Sequence, residues 1–300
     1  GGEHRADDAQ AVVLDRIDIT RSPVGVYNEH GSAEFYNSRV YNNATGVENH
    51  AAMLFQHSPV FDNSVGIENH AALTVQESRI YGNDTGINST SGQVDVRTAF
   101  FTQNKLGIRN AGTMNLTNVT IAKNGCYQDT GVTCALPGGL LNTDNGTTTL
   151  TNVTIADNHA SLPKLEDYTE YISSGLHNAS GTVRMVNTIL ANNQNHYADD
   201  CTGVITSLGH NLVYNGSYCA IEPVEGDFIG AWEHLVNPRM GYLEDLGDHF
   251  GTIPPLSGSP AIDGADPDAC PQTDQLGVAR PSGTSCDMGA REGGLESPPL

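Results

Sequence analysis

The sequence predicts an all-β fold, a right-handed single-stranded parallel β-helix with coils of about 20 residues and an irregular C-terminal cap. Three observations predict it: a Gly-centred motif that returns at nearly constant steps, an Asn that recurs in a second register, and a composition with 33 Gly and only 6% aromatic residues in 300. A unit of this length without helical periodicity cannot bury its apolar positions alone. It can bury them by stacking on copies of itself.

The first register is the motif Gly-Val/Ile-x-Asn, which advances by 20 or 21 residues and, after longer gaps, returns at two later positions. Gly is expected to supply the positive φ that a sharp corner needs. The Asn residues are expected to form a ladder between coils. The motif starts at Gly25, Gly46, Gly66, Gly86 and Gly107, then Gly139 and Gly175, and its ladder Asn residues are Asn28, Asn49, Asn69 and Asn110.

The second register places an Asn three residues after an apolar residue in each unit. Stacked coils lie about 4.8 Å apart, so an Asn amide can donate to and accept from the Asn above and below it. Counting repeats predicts roughly eight to ten coils. A leucine-rich repeat has a similar period but needs several Leu per unit, which these units lack. The predicted ladder consists of Asn43, Asn63, Asn83, Asn104 and Asn124.

The domain organisation follows from where the repeats run and where they are interrupted. We expect coils over residues 1–212, with insertions at 125–138 and 160–174, and an irregular region at 213–300 that packs on the helix as part of one continuous domain. Long excursions from a solenoid often lie on its working face. The alternative is that the insertions cover apolar surface.

The six cysteines fall into three local pairs, and sequential pairing is favoured because each pair brackets one loop. Structural disulfides indicate an oxidising compartment, and therefore a secreted, extracellular or cell-surface protein. Six buried free thiols are the alternative. The predicted pairs are Cys126 with Cys134, Cys201 with Cys219, and Cys270 with Cys286.

Charge and hydropathy exclude two classes of partner. Asp and Glu outnumber Lys and Arg by 35 to 14, which gives a formal net charge of -21. Such a surface repels phosphate backbones, so we expect no nucleic-acid partner. No apolar run approaches the roughly 18 residues of a membrane span, so we expect no membrane-spanning segment.

The last third resembles a known module of bacterial surface proteins. Residues 257–265 read Ser-Gly-Ser-Pro-Ala-Ile-Asp-Gly-Ala, residues 207–212 read Ser-Leu-Gly-His-Asn-Leu, and Asp287-Met288-Gly289-Ala290 follow near the end. These segments are similar to the "choice-of-anchor Q" region that closes many secreted β-helix proteins. The resemblance implies secretion, a β-helix body and frequently a cell-surface role, and it implies no particular reaction.

Acidic residues are concentrated in the same region. Some of them could supply oxygen ligands to Ca²⁺, the one cofactor that the sequence suggests. Their spacing does not fit an EF-hand loop, and Asp also caps turns, which is the alternative. The candidates are Asp263, Asp266, Asp268, Asp274 and Asp287.

Two neighbouring coils repeat a Glu-Asn-His sequence, which stacks Glu48 on Glu68 and His50 on His70. Like charges about 5 Å apart are unfavourable unless a cation, an Arg or a ligand offsets them. These four residues are therefore a candidate metal or carbohydrate site. The alternative is simple duplication of a solvated corner.

Fragments of a polygalacturonase-like hydrolase site also occur, at Asp144, at Asp199-Asp200 and at His210. They are separated by much more than the single coil expected, and the Arg-x-Lys piece is missing. A lyase would instead need a base such as Arg near carboxylates or Ca²⁺. Arg39 and Arg79 share one register two coils apart, with Pro59 between them.

Two functions from different classes compete. The sequence favours a non-catalytic secreted or cell-surface protein with a structural or adhesive role, which can associate with itself head to tail into fibres. The alternative is an extracellular polysaccharide lyase or glycoside hydrolase of the pectin-degrading β-helix type. An ice-binding face would need Thr ladders, and Thr does not recur strictly by coil.

Overall fold

A computed structural model describes residues 11–126, 137–160, 173–193, 200–246 and 251–293. Parallel strands form three stacks, one on each side of a coil, and the predicted parallel β-helix is confirmed. The first and third stacks each contain nine strands in these ranges, within the expected number of coils. The division between coils and cap at residue 212 stays a prediction.

The first stack pairs strands in parallel with all partners in register. Its members are β1 (Val12–Asp15), β4 (Ser32–Tyr36), β7 (Ala52–Gln56), β10 (Ala72–Gln76), the first halves of β13 (Gln93–Thr102) and β15 (Thr113–Ala122), β17 (Thr147–Thr151), β20 (Thr182–Val186) and β23 (Thr206–Ser207).

Within each coil, the strand of the second stack comes directly after the strand of the first. It consists of β2 (Asp18–Thr20), β5 (Arg39–Tyr41), β8 (Val60–Phe61), β11 (Arg79–Tyr81), the second halves of β13 and β15, β18 (Thr154–Ala156), β21 (Ile189–Ala191), β24 (Leu212–Val213) and β26 (Phe228–Ile229).

The third stack carries the Gly-Val/Ile-x-Asn motif. It comprises β3 (Val24–Asn28), β6 (Thr45–Asn49), β9 (Val65–Asn69), β12 (Thr85–Ser89), β14 (Leu106–Asn110), β16 (Leu140–Asn142), β19 (Leu176–Asn178), β22 (Cys201–Val204) and β25 (Cys219–Ala220). Outside the stacks lie the antiparallel pair β27 (Glu244–Asp245) and β28 (Gly251–Thr252) and a 3₁₀ turn at Pro267–Ala269.

The core is a column of apolar side chains inside the coils. Side chains alternate along each strand, so Met53 and Phe55 of β7 point inward while their neighbours face outward. Phe35 and Phe55 stack with ring centroids 4.6 Å apart. Among the described residues no helix is long and apolar enough to cross a membrane.

The first Asn ladder runs along the corner between the second and third stacks. The Nδ2 of each Asn donates to the Oδ1 of the next, as from Asn83 to Asn104 at 3.0 Å, and the backbone N–H of Asn83 donates to the same oxygen. The ladder ends on the buried carboxylate of Asp200, which accepts both donors of Asn193. Its members are Asn43, Asn63, Asn83, Asn104, Asn124, Asn158 and Asn193.

The second Asn ladder runs along the C-terminal ends of the strands of the third stack. Asn28 donates to Asn49 at 2.9 Å, and Asn49 donates to Asn69 at 2.8 Å. Ser89 replaces the Asn in the next coil and accepts from Asn69 at 3.3 Å. The ladder resumes in the later coils through Asn110, Asn142 and Asn178.

The repeat glycines serve a different purpose from the one expected. Positive φ angles in the coils occur mostly at non-Gly residues such as His57 and Asp62, and the motif glycines do not adopt them. A Cβ on Gly46 would lie 2.5 Å from the carbonyl oxygen of Gly66 and 3.1 Å from the amide of Asn63. The prediction of a positive φ at these glycines is therefore wrong, because close approach of the next coil and of the first Asn ladder excludes a side chain there.

Two of the predicted disulfides are confirmed. Cys201–Cys219 joins the last two strands of the third stack, with Cα atoms 5.4 Å apart, and Cys270–Cys286 closes a loop of the C-terminal region with Cα atoms 6.6 Å apart. Cys134 lies outside the described residues, as do most of the insertions at 125–138 and 160–174.

The C-terminal region packs against the second stack through a buried polar network. Arg280 and Glu292 form an ion pair of 2.9 Å, and both side chains are fully buried. Gln275 donates to the carbonyl of Ala99 and accepts from Thr120. These contacts place the C-terminal region on the outer side of β13 and β15.

We predict that Asn83→Ala lowers the free energy of unfolding by about 2–4 kcal/mol, because two buried donors of Asn63 lose their acceptor. Urea denaturation measures the change. The neighbouring Asp84→Ala is the control, since Asp84 is exposed and its pair with Lys105 contributes less than about 1 kcal/mol. Equal effects of the two variants would contradict the role of the ladder.

Asp287 makes the stability of the C-terminal region depend on pH. Burial raises the pKa of Asp287 to about 6, although N–H groups of Asp263 and Gly293 donate to it. The native state then retains a proton that the unfolded state has lost, so the free energy of unfolding falls as pH rises from about 4 to about 6.

The expected result is that Asp287→Asn reduces this fall. Urea denaturation at about pH 4.5 and about pH 7 measures it. Asp268→Asn, at an exposed position nearby, serves as the control. An unchanged pH dependence in Asp287→Asn, matching that of the control, would show that Asp287 does not titrate in this window.

Candidate functional site

A cluster of Glu48, His50, Glu68 and His70 lies at the C-terminal ends of two neighbouring strands of the third stack, β6 and β9. Glu48 and His50 flank Asn49, which points into the core, so the alternation of the strand directs both side chains outward. The same pattern repeats one coil later, and Glu48 pairs with Glu68 in the strand register. The second Asn ladder fixes this register.

The four side chains of this cluster are close together. The imidazoles of His50 and His70 stack with centroids 4.4 Å apart and an angle of 11° between their planes. His50 Nε2 lies 3.0 Å from Glu48 Oε1, and His70 Nε2 lies 3.8 Å from Glu68 Oε1. One ligand atom from each of Glu48, His50 and His70 falls within 4.8 Å of the others.

Uncharged side chains from the adjacent coils contact the cluster. The ring of Tyr27 lies 5.5 Å from that of His50. Asn88 donates to Glu68 at 2.7 Å, and Thr90 Oγ1 lies 2.7 Å from His70 Nδ1. The stacked carboxylates of Glu48 and Glu68 are thus contacted by the imidazoles of the cluster, and that of Glu68 also accepts a hydrogen bond from Asn88.

A second candidate site is a groove of about 270 Å³ along the second stack. Arg39 and Arg79 border it two coils apart, and Pro59 takes the equivalent position in the coil between them. Because Pro is short where the other two coils carry Arg, a slot opens between the guanidinium groups. The lining residues are Asn37, Arg39, His57, Pro59, Phe61, Arg79 and Tyr81.

An aromatic column beside these arginines was missed by the sequence analysis. The rings of Tyr41, Phe61 and Tyr81 stack with centroids 4.8 Å apart and nearly parallel planes. Arg79 lies over the Tyr81 ring at 4.5 Å. The signal was present in the sequence, since an aromatic residue follows Val40, Val60 and Ile80 at steps of 20.

Both arginines of the groove pair with carboxylates. Arg39 binds Asp18 in a bidentate contact of 2.7 and 2.6 Å, and Arg79 binds Asp245 at 3.1 and 2.9 Å. The hydrogen bond from Arg39 lowers the pKa of Asp18, and Asp18 in turn raises the pKa of Arg39. Both shifts have one cause, the ion pair, which stabilises the charged forms of Asp18 and Arg39.

The candidate hydrolase residues have unrelated surroundings. Asp144 is exposed in the turn after β16 and pairs with Arg109. Asp200 is fully buried and ends the first Asn ladder. A ring nitrogen of His210 lies 2.8 Å from the carbonyl of Gly264, and Asp199 lies outside the described residues.

The candidate calcium ligands mostly accept hydrogen bonds from the backbone. Asp268 is exposed in the 3₁₀ turn at Pro267–Ala269. In the part of the chain that the structure describes, the acidic and imidazole side chains close enough to share an ion are those of Glu48, His50 and His70. The backbone N–H donors are Ser285 for the Asp263 carboxylate, Asp268 for that of Asp266, Leu276 and Val278 for that of Asp274, and Asp263 and Gly293 for that of Asp287.

No protein-family model and no curated protein matches the chain. Among solved structures, the crystal structure of pectate lyase Pel9A is similar, with a TM-score of 0.51 and 14% sequence identity, over 92% of this chain and 69% of the other. At that identity the likeness shows the fold alone. The chain is thus a parallel β-helix protein, and its C-terminal resemblance to a surface-protein module stays a prediction.

Proposed function

We propose that this chain is a non-catalytic secreted or cell-surface β-helix protein that adheres to an extracellular anionic polysaccharide. The observation that carries the proposal is the slot between Arg39 and Arg79, which lies beside the aromatic column. The two disulfides support an oxidising, extracellular environment.

The slot suits a chain of carboxylated or sulfated sugars, because its two guanidinium groups form a local positive site on a protein whose net charge of -21 otherwise repels anionic polymers. Its two guanidinium groups lie two coil spacings apart, which is about 10 Å, and planar guanidinium groups bind carboxylates and sulfates with two hydrogen bonds. The present partners, Asp18 and Asp245, have side chains that are 44% and 52% exposed. The Arg39 side chain is 56% exposed and that of Arg79 only 13%. Exposed ion pairs contribute little to stability, so an anionic ligand competes most readily for Arg39.

The described groups of the groove favour binding over cleavage. Its seven lining residues include no carboxylate, and the acids beside it, Asp18, Asp245 and Glu77, each pair with a basic lining residue. A glycosidase requires two carboxyl groups that flank the scissile bond. A lyase requires a base, and both arginines of the groove are held in ion pairs with carboxylates. Pectate lyase Pel9A shares the fold, and fold alone does not carry activity.

Association of copies end to end remains part of the proposal for a structural role. In the described residues, β1 pairs on one side only, with β4. Its Val12 and Val13 side chains are each 57% exposed. An open strand edge with apolar side chains favours addition of another strand.

We predict that immobilised polygalacturonate or alginate retains the protein in affinity electrophoresis and that a neutral glucan does not. Arg39→Gln and Arg79→Gln should each weaken retention about tenfold, which corresponds to roughly 1.4 kcal/mol. Retention should fall as salt increases, because the contact is ionic.

The matched control is Arg97→Gln, an exposed Arg in the first stack that lies outside the groove. Incubation with the same polymers, followed by absorbance of unsaturated products and by reducing-end assays, tests catalysis. The proposal expects binding without product. Equal retention of all three variants would refute the groove, and product formation would establish the enzymatic alternative.

A further inference from the structure

We propose that Glu48, His50 and His70 form a binding site for a divalent transition-metal ion of the Zn²⁺ class. The site lies on the third stack, whereas the groove lies on the second, so the two proposals are independent. A set of two imidazole nitrogens and one carboxylate oxygen suits Zn²⁺, Cu²⁺ or Ni²⁺. Ca²⁺ prefers oxygen ligands alone.

The geometry requires a small adjustment. The three ligand atoms lie within 4.8 Å of one another. With Zn–N and Zn–O distances of about 2.0–2.1 Å, two ligands of one tetrahedral ion lie about 3.4 Å apart. The side chains of His50 and His70 are 34% and 31% exposed, so rotation about their side-chain bonds can supply the remaining approach.

Thr90 is placed to hold His70 as a metal ligand. Its oxygen lies 2.7 Å from His70 Nδ1 and 3.4 Å from the carbonyl oxygen of Asn69. If the hydroxyl donates to that carbonyl, its oxygen accepts the Nδ1–H of His70, and Nε2, which lies 3.8 Å from Glu68 Oε1, keeps its lone pair. A lone pair and a carboxylate repel each other, and a cation between them removes the repulsion. Metal-ligating histidines commonly hold their other nitrogen in such a contact.

The charge of the cluster also favours a cation. Glu48 and Glu68 are directly opposite each other in the strand register, and like charges in this arrangement are unfavourable. Among the described residues, the side chains in contact with the cluster from adjacent coils include Tyr27, Asn88 and Thr90, all uncharged, and Arg109 donates to Asn88 from one coil further on. A divalent ion would offset the negative charge of both carboxylates, with Glu48 as a ligand and Glu68 beside the ion.

Isothermal titration of the full chain with ZnCl₂, in protein without an affinity tag, tests the site. The wild type should bind one Zn²⁺ at this position. His50→Ala and His70→Ala should each weaken binding at least tenfold, and the double variant should abolish it. Thr90→Val should weaken binding about tenfold, as loss of an outer partner does.

The matched control is His30→Ala. His30 also faces a carboxylate, with Nε2 3.8 Å from Glu29 Oε1, and it lies outside the cluster and the groove. Its replacement should leave Zn²⁺ affinity unchanged. Thermal denaturation without metal verifies that the variants are folded. Absence of Zn²⁺ binding by the wild type, or full binding by the folded double variant, would overturn the proposal and leave the groove proposal untouched.

Discussion

The register between successive coils is the constraint on which the rest of this structure depends. Backbone pairing alone sets a spacing of about 4.8 Å but tolerates slippage. The first Asn ladder prevents slippage. As at Asn83, the side-chain Nδ2–H and the backbone N–H of one Asn both donate to the Oδ1 of the Asn in the next coil. A coil displaced by one residue would leave these buried donors without acceptors, which is unfavourable by about 1–3 kcal/mol for each group.

Strict register turns duplication of sequence into duplication of chemistry. Two successive Glu-Asn-His segments become two stacked Glu–His pairs, with imidazoles 4.4 Å apart. Conversely, a single residue that departs from the repeat produces a groove. Pro59 stands where neighbouring coils carry Arg39 and Arg79, and a groove opens at that point. Both candidate sites therefore arise from the same geometric rule, one by repetition and one by interruption.

Much of the fold could be predicted from the sequence because its determinants recur at a fixed period. The Gly-Val/Ile-x-Asn motif marks the third stack, and Asn43, Asn63 and Asn83 mark the corner before it. The reason for the repeat glycines was misjudged, since the backbone of the next coil, which is remote in sequence, excludes their side chains. Local patterns report φ angles poorly when the deciding contact lies one coil away.

The candidate site was predictable only in part. Stacking of His50 on His70 follows from the period, whereas the contact between His70 Nδ1 and the Thr90 hydroxyl needs coordinates. The pairing of Arg79 with Asp245 links residues 166 positions apart and has no periodic signal. Short acidic motifs do not reveal the surroundings of their side chains, since Asp200 ends a structural ladder.

The central claim is that in-register 20-residue coils are interchangeable units. Deletion of residues 66–85 joins Val65 to Gly86 and removes one complete coil, so that Asn63 would meet Asn104 in the first Asn ladder. Circular dichroism during thermal denaturation is the direct test. The account predicts β structure and a single cooperative transition for this deletion, and loss of both when only residues 66–75 are removed. An unfolded product of the full-coil deletion, or equal behaviour of the two deletions, would contradict it.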